Sequence, residues 1–404
     1  MPQRVLQVLS LVLVLFLFFV SLELMGDSFK LMGRDFAETL LATTRNPFVG
    51  LFIGILATSL VQSSSTVTAM VVGIVAGGGL TVAGAIPIVM GANIGTSVTN
   101  TIVSLGHITR KDEFSRAMAG ATVHDFFNLL AVAVLFPIEL MTGVIAKTAH
   151  WLEEGVVGFG GADLLSPVKV VVDPVVEVVI GLANENGILV LVLGVAGLFL
   201  ALRYLVKLLR ALLLGRSERL LHKYVFGKAG MAFLFGIIIT VMVQSSSITT
   251  SVMVPMVGAG IVTVAQIFPF VLGANIGTTI TAILAALVLA GGGGAGGEAA
   301  LTVAFAHLTF NVLGIVILWP IPFLRRIPIW LAEKLGELAI RNRGYAFGYV
   351  AVVFFVMPVL IILATRGLDT SFYDDVVPEE SLEVPPELVD PGAPDPEPVR
   401  LDGP

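Results

Sequence analysis

Residues 62–65 read Gln-Ser-Ser-Ser and residues 91–96 read Gly-Ala-Asn-Ile-Gly-Thr. Both return later in the chain at one shared offset, as Gln244-Ser245-Ser246-Ser247 and Gly273-Ala274-Asn275-Ile276-Gly277-Thr278. Pro87 and Pro269 keep that offset, as do Gly54 and Gly236. Further on, His124 and Asn128 match His307 and Asn311 with one residue inserted. Chance supplies one tetrapeptide, not several in order at one spacing, so the chain contains a duplication.

The setting of the duplication is a membrane. Of 404 residues 56% are hydrophobic and only 13% charged, about half the charged share of a soluble domain. Mean hydropathy is +0.97, too apolar for the chain to cover itself with a polar surface, so lipid is its solvent. The net charge of −6 says little about partners, because much of the acid sits near the C-terminus. No basic stripe with interleaved aromatics points to nucleic acid. The absence of cysteine excludes disulfides and thiolate metal sites. An internal repeat in such a chain is a signature of secondary transporters.

After Met1-Pro2-Gln3-Arg4 an apolar run extends from Val5 to about Leu22. It is long enough to span, and Ser21-Leu22-Glu23-Leu24-Met25-Gly26 offers no good cleavage site, so it reads as a retained first transmembrane helix rather than a secretory signal. The sequence divides into this helix with an external amphipathic segment (1–46), a first repeat (47–141), and an external loop, linking helix and basic cytoplasmic loop (142–228). A second repeat (229–322), an amphipathic segment with a last span (323–366), and an acidic, Pro-rich tail that reads as disordered (367–404) complete it.

Within the first repeat, two apolar arms (47–61 and 66–80) flank Gln-Ser-Ser-Ser. Each arm of 15 residues is about 22 Å long as helix, short of the ~30 Å hydrocarbon core; the pair reads as a re-entrant hairpin. Residues 82–105 read as a transmembrane helix broken at Gly91–Gly95, and 117–140 as a continuous span. The second repeat copies this at 229–262, 264–290 and 298–320. Arg203, Lys207, Arg210, Arg216, Arg219, Lys223 and Lys228 place the linker in the cytoplasm by the positive-inside rule. Counting spans from there, the first repeat starts outside and the second inside, the N-terminus is cytoplasmic and the tail is external. The expected fold is thus an all-α integral membrane protein of two inverted-topology repeats, each with a re-entrant helical hairpin and a broken transmembrane helix.

Polar side chains at membrane depth are costly unless satisfied, and irregular backbone there must line protein or a cavity. The two Gln-Ser-Ser-Ser tips and the two Gly-Ala-Asn-Ile-Gly-Thr stretches should therefore converge. Half-helix N-termini and serine hydroxyls offer donors to an oxyanion; carbonyls, Asn and Thr oxygens suit a hard cation such as Na⁺. No Lys or Arg stands at these breaks, so a bound divalent anion would need co-bound cations to offset its charge. Asp125 is an acid in mid-span, three residues before Asn128 and on one face with it. It reads as a cation ligand or as a helix-packing hydrogen bond. His124 and His307 read more naturally as buried hydrogen-bond partners. The Gly77–Gly79 and Gly291–Gly294 runs fit no P-loop and read as turns.

These motifs resemble the type II sodium/phosphate cotransporters. The resemblance is dense from Gln62 through Glu139, including Gly91–Val103 and Ala119–Asn128, and looser over about 47–366. It implies a multi-pass carrier of the plasma or inner membrane that takes up inorganic phosphate with Na⁺, not an enzyme. It places phosphate on Gln62, Ser63, Ser64, Ser65, Gln244, Ser245, Ser246 and Ser247, with Asn93 and Asn275 beside them. The sodium candidates are Thr96, Thr101, Asp125, Asn128, Thr278, Thr281 and Asn311. In that family an acid at the position of Asp125 goes with electrogenic transport. His107 and Arg110 stand where many members carry Gln and Asp, which puts one sodium site and the stoichiometry in question. Set against that family, the chain reads as departing in two further ways, without the large soluble regulatory domain of some bacterial relatives and ending one span before the animal forms. The sequence leaves open a carrier or exporter of arsenate or sulfate, a phosphate sensor, and a homodimeric assembly. A Ser–His hydrolase is disfavoured by the lack of a Gly-x-Ser-x-Gly elbow.

Overall fold

The computed structural model describes residues 2–32, 44–96, 98–158, 166–213, 226–291, 295–365, 367–368 and 370–382. Among them the regular structure is helical, with no strand. Six helices are long and apolar enough to cross a membrane by length and composition, and the chain is a multi-pass membrane protein.

Helix α1 (Pro2–Met32) runs well past the apolar stretch that ends near Leu22. The external amphipathic segment expected after it falls largely on 33–43, outside the described residues. The first repeat carries α2 (Pro47–Val61), α3 (Ser64–Ala76), α4 (Val82–Gly95), α5 (Val98–Leu105) and α6 (Lys111–Thr142). Asn46 starts α2 by accepting the Phe48 N–H at 2.9 Å with Pro47 at the first helical position, where its missing N–H costs nothing. Thr81 caps α4 in the same way, through the Gly84 N–H.

The segment 142–228, read as external loop, linking helix and basic loop, carries α7 (Val144–Gly158), α8 (Ser166–Leu182) and α9 (Gly187–Leu213). The basic loop lies mostly in 214–225, outside the described residues. In the second repeat, α10 (Ala229–Val243), α11 (Ser246–Ser251), α12 (Met253–Gly258), α13 (Val264–Ala290) and α14 (Ala295–Leu318) follow the order of the first. The chain continues through α15 (Pro322–Arg341), α16 (Gly344–Ala351), a π-helical turn at Val352–Val356 and α17 (Met357–Thr365).

Glycine decides the packing within each repeat. A Cβ on Gly54 would strike the Ile88 carbonyl, and one on Gly91 the Leu51 carbonyl. The same contacts recur at the matched positions of the second repeat, Gly236 against the Phe270 carbonyl and Gly273 against the Phe233 carbonyl. Backbones therefore touch along α2–α4 and α10–α13. Lipid offers no hydrophobic drive for helix association, so close approach through small residues is what holds such pairs.

This packing overturns the expectation of two broken helices. Helix α13 runs unbroken from Val264 to Ala290 straight through Gly273–Gly277. Only the first copy is interrupted, between Gly95 at the end of α4 and Val98 at the start of α5. The glycines that read as helix breakers are small surfaces for a neighbouring backbone.

The repeats also interlock. Helix α3 packs against α13 and α14, and α12 packs against α6, where Arg116 Nε donates to the Gly258 carbonyl at 2.9 Å. The start of the acidic tail is ordered rather than disordered: Ser371–Asp374 form a helical turn (α18) and Glu379–Ser381 a 3₁₀ turn. Tyr373 donates its hydroxyl to buried Glu139 at 3.1 Å, which also accepts the Ile145 and Ala146 N–H groups. An aromatic residue able to reach a buried acceptor is what anchors this otherwise polar stretch. Residues 383–404 lie outside the described residues.

Candidate functional site

The two Gln-Ser-Ser-Ser segments adopt one geometry. Helix α2 ends at Gln62, whose backbone is left-handed (φ 58°, ψ 29°); α10 ends at Gln244 in the same conformation (φ 56°, ψ 27°). A residue with a Cβ rarely holds positive φ, and such strain, roughly 1–3 kcal/mol, gathers at functional sites. Each glutamine N–H closes on a threonine carbonyl at 2.7 Å, Gln62 on Thr58 and Gln244 on Thr240.

The serine that follows is extended and caps the next helix. Ser63 Oγ accepts the Thr66 N–H at 3.2 Å, and Ser245 Oγ accepts the Ile248 N–H at 3.3 Å. Ser64 and Ser65 then open α3, and Ser246 and Ser247 open α11, all four buried. Each triplet thus provides one cap and two residues whose N–H groups precede the helix's own ladder. Gln62 is exposed while Gln244 is half-buried, so the two tips are not equally open.

Threonines from the partner helix of the same repeat hold the glutamine side chains. Thr281 Oγ1 donates to Gln244 Oε1 at 2.6 Å, and Thr99 Oγ1 to Gln62 Oε1 at 3.5 Å. Thr281, one of the sodium candidates, thus has its hydroxyl on a glutamine. Thr99 was missed, although it stands at the repeat offset from Thr281 and is marked by it. The tip of the second repeat also reaches the break in the first: Ser247 Oγ donates to the Thr96 carbonyl at 3.3 Å, and Asn100 Nδ2 donates to Thr250 Oγ1 at 2.8 Å.

A second polar cluster crosses between the repeats. His124 Nε2 donates to Asn275 Oδ1, Asn275 Nδ2 to Asn128 Oδ1 at 2.8 Å, and Asn128 Nδ2 to the Asn93 carbonyl at 2.7 Å. In the mirrored contact, His307 Nε2 lies 3.4 Å from Asn93 Oδ1 and Asn311 Nδ2 3.5 Å from the same oxygen. The structure thus brings Asn93, Asn128, Asn275 and Asn311 together, with the two histidines as structural partners. Asn93 and Asn275 bond to this network rather than to the serine tips beside which they were expected. Thr96 and Thr278 return their hydroxyls to carbonyls of their own helices, Ala92 and Ala274. Thr101 is buried on α5.

Asp125 stands apart from that network. It is fully buried, and Oδ2 accepts the Tyr349 hydroxyl at 2.9 Å. Tyr349 belongs to α16, outside both repeats, and no sequence signal marks it. His107 and Arg110 both contact Glu113, at 3.3 and 3.0 Å, so these departures form an ion cluster at the start of α6.

Several buried polar atoms on these elements have no hydrogen-bond partner: Thr58 Oγ1, Thr240 Oγ1, Asn100 Oδ1, Asp125 Oδ1, Asn311 Oδ1 and Nδ1 of both His124 and His307. Orphaned buried polar groups are rare and call for an explanation such as an ion, a ligand or water. Among the described residues no Lys or Arg side chain bonds to either tip, so the donors and acceptors at the tips are neutral.

Matched, neutral polar sites between the halves of a duplicated helical membrane protein are the arrangement of secondary carriers. The Na⁺/Pi-cotransporter family profile matches residues 17–161 and 191–360, and the chain belongs to that family. Sodium-dependent phosphate transport protein 2B of Homo sapiens is 33% identical over 441 residues, an alignment covering 86% of this chain and 63% of that protein. Sodium-dependent phosphate transport protein 2A of Ovis aries is 33% identical over 429 residues, covering 86% of this chain and 66% of the relative. The chain therefore spans just under two thirds of the length of these relatives. No solved structure matches it.

Proposed function

We propose that the chain is a sodium-coupled symporter that imports inorganic phosphate by alternating access around its two serine tips. The observation that carries this reading is the pair of left-handed glutamine caps, Gln62 and Gln244, each followed by a serine cap and two buried serines at a helix start. Helix N-termini with hydroxyls beside them suit a phosphate oxyanion. The relatives' names, sodium-dependent phosphate transport proteins, support the same substrates.

In this reading Gln62–Ser65 and Gln244–Ser247 hold phosphate, and Asp125 with neutral oxygens of the Asn and Thr set binds Na⁺. The α2–α3 and α10–α12 pairs are re-entrant hairpins of two inverted repeats. The unequal exposure of Gln62 and Gln244 fits a site open toward one side. The N-terminus is cytoplasmic and the protein sits in the cell membrane. Cation coupling follows from the chemistry, because without a basic residue at either tip a dianion needs co-bound charge in a low-dielectric site. A tenfold Na⁺ gradient supplies about 1.4 kcal/mol per ion, and 100 mV adds ~2.3 kcal/mol per net charge moved. Three Na⁺ with one divalent phosphate are then driven by roughly 6.5 kcal/mol, which favours an electrogenic cycle that uses Asp125.

Radiolabelled phosphate binding to the detergent-purified protein tests the site. Binding requires Na⁺ over K⁺, and Ser64→Ala with Ser246→Ala weakens it by at least tenfold. Binding indifferent to both substitutions overturns the placement; preferential binding of sulfate moves the assignment to another oxyanion.

A further inference from the structure

We infer that Tyr349 is a positioning residue for the cation site at Asp125, and that the last span thereby sets how tightly the carrier binds its driving ion. The inference rests on the sodium-coupled reading above. Asp125 is fully buried on α6. One carboxylate oxygen, Oδ2, accepts the Tyr349 hydroxyl at 2.9 Å; the other, Oδ1, is buried with no hydrogen-bond partner. The hydrogen bond at Oδ2 restrains the carboxyl group and leaves Oδ1 the oxygen without a protein partner.

The tether is itself held in place. The Tyr349 ring packs against Phe126, next to Asp125 in sequence, with centroids 5.5 Å apart. Phe354 meets the same ring edge-on at 6.1 Å and 88°. Phe354 lies in the π-helical turn Val352–Val356 and is fully buried, whereas Val352, Phe355 and Val356 are exposed toward lipid. The π turn begins just after the α-helical segment that carries Tyr349 and holds Phe354, and such turns often mark functional sites. The surrounding helix is otherwise a poorly buried span, with 17% of its apolar window inside the fold. A half-buried tyrosine, backed by a buried phenylalanine in a π turn, ties an otherwise lipid-facing helix to Asp125.

The test is phosphate uptake against Na⁺ concentration in proteoliposomes at fixed voltage, for wild type, Tyr349→Phe, Asp125→Asn and the double variant. Tyr349→Phe should raise half-saturating Na⁺ about tenfold to a hundredfold, the scale of one hydrogen bond to a charged group, while half-saturating phosphate moves less than about twofold. In the Asp125→Asn background the same change should add nothing. An unchanged Na⁺ dependence in folded Tyr349→Phe overturns the inference, as does an equal further shift on Asp125→Asn. Should Tyr349→Phe not fold, Phe354→Leu, which unseats the ring without touching Asp125, is read by the same criterion. A wild type without Na⁺-dependent uptake removes the inference and the proposed function together; a Na⁺-dependent wild type with an unaffected variant removes the inference alone.

Discussion

Thr281 donates its hydroxyl to the side-chain oxygen of Gln244 at 2.6 Å, and Thr99 stands in the same relation to Gln62 at 3.5 Å. One helix of each repeat thus aims the glutamine of that repeat's serine tip, tightly in the second and loosely in the first. Replacing Thr281 with Val keeps the shape and removes the donor. Half-saturating phosphate should rise about fivefold to tenfold, the weight of one hydrogen bond of this kind. Thr99→Val should change it less than about twofold, because its bond is already long. Equal effects from the two variants would show that the glutamines are not oriented this way.

The glycine contacts predict where the fold has no slack. Gly273→Val places a branched side chain against the Phe233 carbonyl, a backbone atom that cannot rotate away. Overpacking costs about 1–3 kcal/mol and more where backbone must move. The variant should lose its monodisperse elution in mild detergent, whereas Gly230→Ala, with nothing within 4 Å of the added carbon, should elute as wild type. A folded Gly273→Val would mean that α10 and α13 do not depend on that contact.

How far the fold could be read from the chain follows from these same residues. The constant offset between Gln62 and Gln244, and between Asn93 and Asn275, announced the duplication. The tips, the short arms and the cross-pairing of matched positions all obey it. The glycines misled, because a Gly-Ala-Asn-Ile-Gly-Thr stretch in one chain looks like a helix breaker whether it ends a helix or lets a neighbour touch its backbone. Only the partner backbone, Leu51 or Phe233, distinguishes the two, and those contacts are not local. Asn93 and Asn275 were legible as site residues, but not their bonding across repeats. Tyr349 was illegible, since it lies outside the repeat and nothing in its neighbours in sequence points at Asp125.

Glu153 gives a pH prediction away from the membrane spans. It sits on α7 beside a cavity of about 260 Å³ lined also by His150, Glu298 and Glu380. Burial raises its carboxyl to about 7, helped by Glu298 and Glu154 and opposed by His150. A carboxyl raised by folding favours the fold most below its unfolded value near 4.5, and that contribution is lost as pH rises through about 7. Glu153→Gln removes this dependence. The thermal transition of the variant should therefore gain on wild type between pH 5 and pH 8, and parallel profiles for the two proteins would contradict it.

Asp125→Asn keeps size and shape but removes the buried carboxyl group of α6. In the electrogenic reading, phosphate uptake by this variant no longer grows with inside-negative voltage, and half-saturating Na⁺ rises. Unaltered voltage dependence in a folded Asp125→Asn protein would make Asp125 a helix-packing residue held by Tyr349.

The most direct test of the account is radiolabelled phosphate uptake into proteoliposomes of the purified wild-type chain, with an inward Na⁺ gradient or K⁺ in its place, at clamped voltages. The account predicts uptake that requires Na⁺ and increases with inside-negative potential. Folded protein that shows no Na⁺-stimulated phosphate uptake would contradict it.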